Sequence, residues 1–235
     1  MIIHHARVAA ALLLGAIWAV NPARAQEASS KDPLEGINRV MFAINDAIDV
    51  AVLKPAAQAY TAVMPSWART GVDNFFGNLG DLWSGVNHLL QAKPARALDH
   101  GLRFAVNSSL GLGGLLDIAS EAGIERQRED FGQTLGWWGI GPGPYLVLPL
   151  LGPSTLRDTF AAPVDARGGL TGRIWHEEPD RYGVTLLSVL NLRANLLGTT
   201  RLLDDVALDK YVLVRDGYLS RRRNQVYDGD PPDEK

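Results

Sequence analysis

Between Asp130 and Arg157 the chain runs for 26 residues without an Asp, Glu, Lys or Arg: FGQTLGWWGIGPGPYLVLPLLGPSTL. Twelve of these residues are large and apolar, and nine of the eighteen from Gly136 to Pro153 are Gly or Pro. No helix runs through such a stretch, because Pro142, Pro144, Pro149 and Pro153 each remove a hydrogen-bond donor and crowd the preceding turn. A continuous membrane-crossing helix is thereby excluded. The stretch is also too apolar for an ordinary solvated loop. Two readings remain. One is a buried hairpin around Tyr145 to Leu151. The other is a loop that lies in a bilayer or lines an apolar passage, with the amphipathic indoles of Trp137 and Trp138 at an interface. On that second reading the lipid-path or membrane-facing candidates are Trp137, Trp138, Tyr145, Leu146 and Leu148. A further uncharged run, Phe104 to Leu116, adds Gly111, Gly113 and Gly114. These glycines either terminate a helix or let helices and lipid tails approach the backbone.

Elsewhere the chain reads as helices punctuated by Gly and Pro. Asp32-Pro33-Leu34-Glu35 combines an N-cap residue, a proline at the first helical position and an acid two residues on, which are three agreeing start signals. Leu34, Ile37, Met41, Ile44, Ile48 and Val52 then recur every three or four residues, one apolar stripe on a helix. Lys54-Pro55 is expected to end that helix, Pro55 can start the next, and Met64-Pro65 is expected to make the next stop. From Ser66 the residues Phe75, Leu79, Leu82, Val86 and Leu89/Leu90 share a face. Lys93-Pro94 restarts a helix that runs to Ser109. Later helices are expected over 184–197 and 210–226. There is no long alternating strand pattern and no internal repeat. The fold expected is all-α, one helical domain over 32–226 with a Gly/Pro-rich apolar loop or hairpin, followed by a disordered acidic tail over 227–235.

The first 25 residues read as an address. Val8 to Val20 is thirteen uncharged residues, Asn21-Pro22 breaks any helix, and Ala23-Arg24-Ala25 puts small residues at −3 and −1 of a cleavage site before Gln26. That is the layout of a secretory signal peptide, and thirteen residues fall short of the ~20 that span a bilayer. Residues 26–31 form a polar lead. The 235 residues contain no Cys, which removes disulfides, thiolate metal sites, cysteine catalysis and an acylated cysteine from consideration. An exported, cysteine-free chain suits the oxidising bacterial periplasm. Hydrophobic residues make up 46% of the chain, enough for a core, and the net charge of −3 leaves no electrostatic footprint for nucleic acid.

A search for catalytic patterns finds none of G-x-S-x-G, H-E-x-x-H or the phosphate-binding loop. His176-Glu177-Glu178-Pro179 has no second His at ligand spacing. With His4 and His5 in the leader, the remaining histidines are His88, His100 and His176, each read as a polar helix or loop residue. Asp204-Asp205 reads as a solvated helix end. No metal or cofactor is expected. Arg221-Arg222-Arg223 is the one basic cluster. It either complements a helix C-terminus or meets phosphate headgroups or an acidic partner.

Several segments together resemble one family. Asp32-Pro-Leu-Glu-Gly-Ile-Asn-Arg39 and Met41-Phe-Ala-Ile-Asn45 resemble the start of the MlaA (VacJ) family of outer-membrane lipid-asymmetry proteins. The likeness continues through Pro65 to Arg69, Asn74 to Leu79, Arg103 to Asn107, Leu110 to Ala119 and Asp130 to Gly136. It extends to Gly141 to Tyr145, Leu148 to Gly152, Thr155 to Asp158 and Tyr211 to Tyr218. The resemblance implies a flat, ring-shaped helical protein set in the inner leaflet of the outer membrane, with an amphipathic channel and a trimeric porin as partner. It implies removal of mislocalised phospholipid from the outer leaflet and its transfer to a soluble periplasmic lipid carrier, without enzymatic chemistry. Family members usually carry a lipidated Cys, which this sequence lacks. Attachment to the periplasmic face of the outer membrane would then rest on apolar surface and porin contact. Burying four large apolar side chains contributes ~6–12 kcal/mol, against roughly 5–6 kcal/mol for a single acyl chain. Two other classes remain open: a periplasmic lipid or cell-wall hydrolase, and a porin-binding structural module without transport.

Overall fold

The computed structural model describes residues 32–170, 174, 175 and 177–232. The expected leader and polar lead, and His176, lie outside the described residues. The described chain is helical apart from one hairpin. The helices are α1 (Glu35–Ile48), α2 (Lys54–Val63), α3 (Ser66–Leu90), α4 (Pro94–Ser109), α5 (Ile118–Glu121), α6 (Phe131–Trp137), α7 (Leu156–Gly168), α8 (Glu178–Asn195), α9 (Leu197–Val206) and α10 (Lys210–Val226). The hairpin strands are β1 (Tyr145–Leu148) and β2 (Gly152–Thr155), antiparallel, with Tyr145 opposite Thr155 and Leu148 opposite Gly152.

Side-chain caps set several boundaries. The Asp130 carboxylate accepts from the Gln133 amide at 2.8 Å to open α6, Thr155 Oγ1 from Asp158 at 3.2 Å to open α7, and Asp209 from Val212 at 3.2 Å to open α10. Each satisfies an amide that the first turn leaves without a partner. At the first helix the expected cap is overturned. Asp32 is buried and spends its carboxylate on Asn38 Nδ2 (2.9 Å) and the Tyr211 hydroxyl, so α1 begins at Glu35 with no side-chain cap. A new α-helix does start at Lys54-Pro55, with the proline in its first turn, but the chain does not break before it. A π-helical turn, Asp49–Leu53, joins α1 to α2. The wider turn absorbs the donor that Pro55 lacks, so the helical path continues instead of breaking.

α3 and α4 form an antiparallel pair packed along their lengths, α8 lies on α2 and α3, and α6 packs on α7 and α10. The hairpin sits between α1 and α10. Beyond α10, residues 227–229 form a turn closed by the Gly229 amide on the Asn224 carbonyl, and Asp228 pairs with Lys93 at 2.5 Å. The first residues of the acidic tail are therefore tied to the loop before α4.

Candidate functional site: a polar interior behind an apolar surface

The helices carry their expected apolar stripes, but much of each stripe is exposed, although Leu79 of the α3 stripe is buried. On α3, Val86, Leu89 and Leu90 are exposed, while Asn78, Asp81, Ser84, Asn87 and His88 are buried. On α4, Leu98 and Leu102 are exposed and His100, Arg103 and Asn107 are buried. Among the described residues the buried set holds nine apolar side chains, four of them alanine, against twenty-one polar or charged ones. Trp67 (77% exposed), Leu151 (77%) and Phe160 (74%) illustrate the outer surface. Water sorts side chains the other way, and an apolar surface this extensive marks a lipid or protein environment. No helix among the described residues is long and apolar enough to cross a membrane.

The interior is held by directional pairing. Arg103, wholly buried, grips both oxygens of Asp117 (2.7 and 2.9 Å), donates to Ser120 Oγ at 3.1 Å and reaches the Ile124 carbonyl. Its Nε lies 3.4 Å from Asp81. Arg126 binds Asp81 at 3.1 Å, and His100 Nδ1 meets the same carboxylate at 3.0 Å. Two guanidinium groups thus face two carboxylates, the arrangement that makes charge burial tolerable. His88 and His100, expected as ordinary polar helix residues, are instead buried and stacked, ring centroids 5.0 Å apart, both Nε2 atoms meeting the Gln127 carbonyl (3.2 and 2.6 Å). Burial holds His88 down at about 4 and, first among its causes, pushes Glu129 up to about 7. A second lattice joins three elements: Arg222 binds Asp130 (2.7 and 3.0 Å) and Asp158 (2.8 and 2.9 Å), and Tyr218 donates to Asp158 at 2.9 Å. The middle residue of the basic cluster is therefore a buried structural cation, whereas Arg221 is exposed. Elsewhere Arg193 binds Asp49 at 2.6 and 2.8 Å, and Asp204 pairs with Lys210 at 3.0 Å.

The hairpin combines both readings of the uncharged window. Tyr145 and Val147 are buried against Tyr211, with Met41 and Phe42 beside them. Leu150 and Leu151, at the turn, are exposed. The outer edge of β1 is paired by side chains of α1. Asn38 donates to the Tyr145 carbonyl and accepts from the Val147 amide, both at 2.9 Å; Asn45 does the same for Leu148 and Leu150 at 2.8 Å. Seven helical residues advance ~10.5 Å and three strand residues ~10 Å, so the two asparagines keep step with the strand. They act as a substitute neighbouring strand.

Of the candidate residues, Trp137 and Trp138 are exposed, the latter donating from its indole to the Leu90 carbonyl at 3.0 Å. Leu146 and Leu148 are half-buried on the hairpin face opposite Tyr145 and Val147. Tyr145 is buried in the core. Gly111, Gly113 and Gly114 lie in the turn that ends α4, apart from the hairpin. Gly114 has φ +97°, and a Cβ there would meet Asn78 Nδ2 at 2.6 Å, so glycine both ends the helix and admits α3. Sequence reading missed the two asparagines and the buried face. The signal was present as a second stripe, Asn78, Asp81, Ser84, His88 and His100, Arg103, Asn107, polar at the same helical period. Among the described residues no group of three or more His, Asp and Glu side chains is placed to hold a metal ion.

The sequence comparisons agree with this architecture. Residues 30–225 match the family model described as MlaA lipoprotein. The Intermembrane phospholipid transport system lipoprotein MlaA of Escherichia coli (strain K12) is 39% identical over 194 residues, 81% of this chain and 76% of that protein. Its namesake in Haemophilus influenzae is 35% identical over 211 residues, 87% of this chain and 82% of that one. A solved structure, described as a structural basis for maintenance of bacterial outer membrane lipid asymmetry, superposes with a TM-score of 0.69. It covers 83% of this chain and 98% of that chain at 35% identity. With the family model spanning most of the chain, relatives aligned over most of both lengths and the fold shared, this protein belongs to the MlaA lipoprotein family.

Proposed function

We propose that this protein is a phospholipid transporter of the bacterial outer membrane. It removes mislocalised phospholipid from the outer leaflet and passes it, through an amphipathic channel, to a periplasmic carrier protein, so that net movement is retrograde and lipid asymmetry is maintained. A porin trimer supports it in the membrane. It reaches the periplasm on the cleaved leader 1–25 and works without an acyl chain, since its 235 residues have no Cys to carry one. It performs no bond-making chemistry.

The observation that carries this reading is the inverted sorting: buried Asp, Asn, His and Arg inside, Leu, Ile, Val and Trp outside. Such a body is stable with its perimeter in acyl chains, while its polar interior can host a headgroup that acyl chains cannot solvate. The hairpin adds an apolar element, Leu146 to Leu151, at the edge of that interior.

The test is lipid occupancy. Phospholipid should copurify intact with the full chain, and a strain lacking the protein should accumulate phospholipid in the outer leaflet. Leu148→Asp should impair retrieval while the protein still accumulates, because an ionised group loses several kcal/mol of hydration on entering an apolar passage. Protein free of phospholipid would favour the porin-binding module. Cleaved lipid products would favour the hydrolase.

A further inference from the structure

Between the segment that precedes α6 and the C-terminal half of α10 lies a cavity of about 710 Å³, whose lining includes Arg128, Glu129, Gln133, Arg221, Asn224 and Asp228. Most charges nearby are spoken for. Asp228 is paired with Lys93, and Arg126, at the same cavity, is paired with Asp81. Arg128 and Arg221 have no carboxylate partner among the described residues, Arg221 resting only over the Tyr218 ring at 5.8 Å. The acceptor side is also incomplete. Gln133 is 2% exposed; its Nε2 donates to the Arg128 carbonyl at 3.1 Å, which fixes the amide's orientation, and its Oε1 is left without any partner. Glu129, 8% exposed, receives one hydrogen bond, from Gln91 Nε2 at 2.8 Å.

We propose that this cavity is a headgroup subsite for a phospholipid whose phosphate bears a primary ammonium. The guanidinium groups of Arg128 and Arg221 take the phosphate, as forked cationic donors do. The ammonium offers N–H donors to Gln133 Oε1 and to the Glu129 carboxyl, the two acceptors that the fold leaves short. Its charge also lies near the C-terminal end of α10, where the helix dipole favours a cation. A phosphate alone would leave Gln133 Oε1 unpaired, and a trimethylated ammonium has no hydrogen to give it. The inference deepens the transport reading and rests on it.

The experiment uses the full chain in detergent and short-chain, water-soluble phospholipids. Binding of dihexanoyl phosphatidylethanolamine is compared with the phosphatidylcholine and phosphatidylglycerol of the same chains, and with free O-phosphoethanolamine. The ethanolamine lipid should bind about tenfold more tightly than the other two, the effect of hydrogen bonds to a charged group. Gln133→Met should abolish that preference. Arg128→Gln with Arg221→Gln, both on exposed side chains, should weaken all three lipids together. Free phosphoethanolamine should bind weakly but compete; binding as tight as the lipid would assign the site to a soluble phosphate compound and overturn the lipid subsite. Equal affinity for the three lipids overturns the proposal, and because it needs only the native protein this arm stands even where Gln133→Met does not fold. If phospholipid copurifies but the Arg pair changes nothing, the subsite fails and transport survives; if none copurifies, both fail.

Discussion

The α3–α4 pair and the β1–β2 hairpin bury opposite kinds of surface. The helix pair exposes Leu89, Leu90, Leu98 and Leu102, buries Leu79, and holds together through Arg103, Asp81, Asp117, His100 and Asn107. The hairpin turns Tyr145 and Val147 inward onto Tyr211 and projects only its turn. Apolar burial is non-directional and tolerant of repacking. A buried ion network is directional and fails when one partner goes. The helix pair is thus fixed by geometry, and the hairpin by a small greasy contact plus the two asparagines on its edge.

Removing the guanidinium at the centre of the helix pair should break the first region outright. Arg103→Leu removes the forked partner of Asp117 and leaves Arg126 as the one guanidinium facing Asp81 and Asp117, a loss of about 3–5 kcal/mol, with a matching fall in thermal midpoint by circular dichroism in detergent. Little change would mean the network is ornamental. The hairpin should respond locally. Asn38→Leu strands a buried carbonyl and amide of β1, costing about 2–6 kcal/mol at 1–3 kcal/mol for each unpaired group. Proteolysis should then cut first near Pro149 to Leu151 while the α3–α4 pair stays protected. Simultaneous loss of both regions would refute their independence.

The smallest effect is a slope with pH. Glu129 faces Gln91, Lys93, Asp228 and Asp130, and burial raises it to about 7. The folded state therefore binds more protons than the unfolded one between about 4.5 and 7, and stability falls as pH rises through that window. His88 faces Gln127, His100, Lys93 and Asp228 and is lowered to about 4, so it works in the opposite sense, adding stability as pH rises from about 4 to 6.5. In the native protein the two slopes largely cancel. Glu129→Gln should uncover a rising limb between pH 4.5 and 6.5, read as thermal midpoint against pH; a flat profile in that variant would remove His88 from the account.

Helix boundaries were legible where local chemistry decides them. Pro94 to Ser109 and Lys210 to Val226 begin and end as read, because Lys93-Pro94 and the Asp209 cap act within one turn. Hydrophobic period revealed the stripes on α1, α3 and α4 but not their direction. A period states that a helix has two faces, and only the surrounding solvent states which one is buried. The uncharged window resisted a single reading for the same reason, since its alternation puts Tyr145 in the core and Leu146 and Leu148 on the other face. Asp32 was misread because its competing partner, Tyr211, lies 179 residues away. The Asn38–Asn45 edge was invisible until the strand it completes was known.

The outward-facing leucines have a calorimetric consequence. Heat capacity rises when apolar surface meets water and falls when polar surface does, by about +0.45 and −0.26 cal/mol/K per Å². A water-soluble domain opens an oily interior and so gains heat capacity on melting. Here the oil is already outside, covered by detergent or acyl chains before and after melting, and what opens to water is Arg103, Asp81, Asn107 and their neighbours. The curve of stability against temperature should therefore be nearly straight, without the dome that brings cold denaturation to soluble proteins of this size.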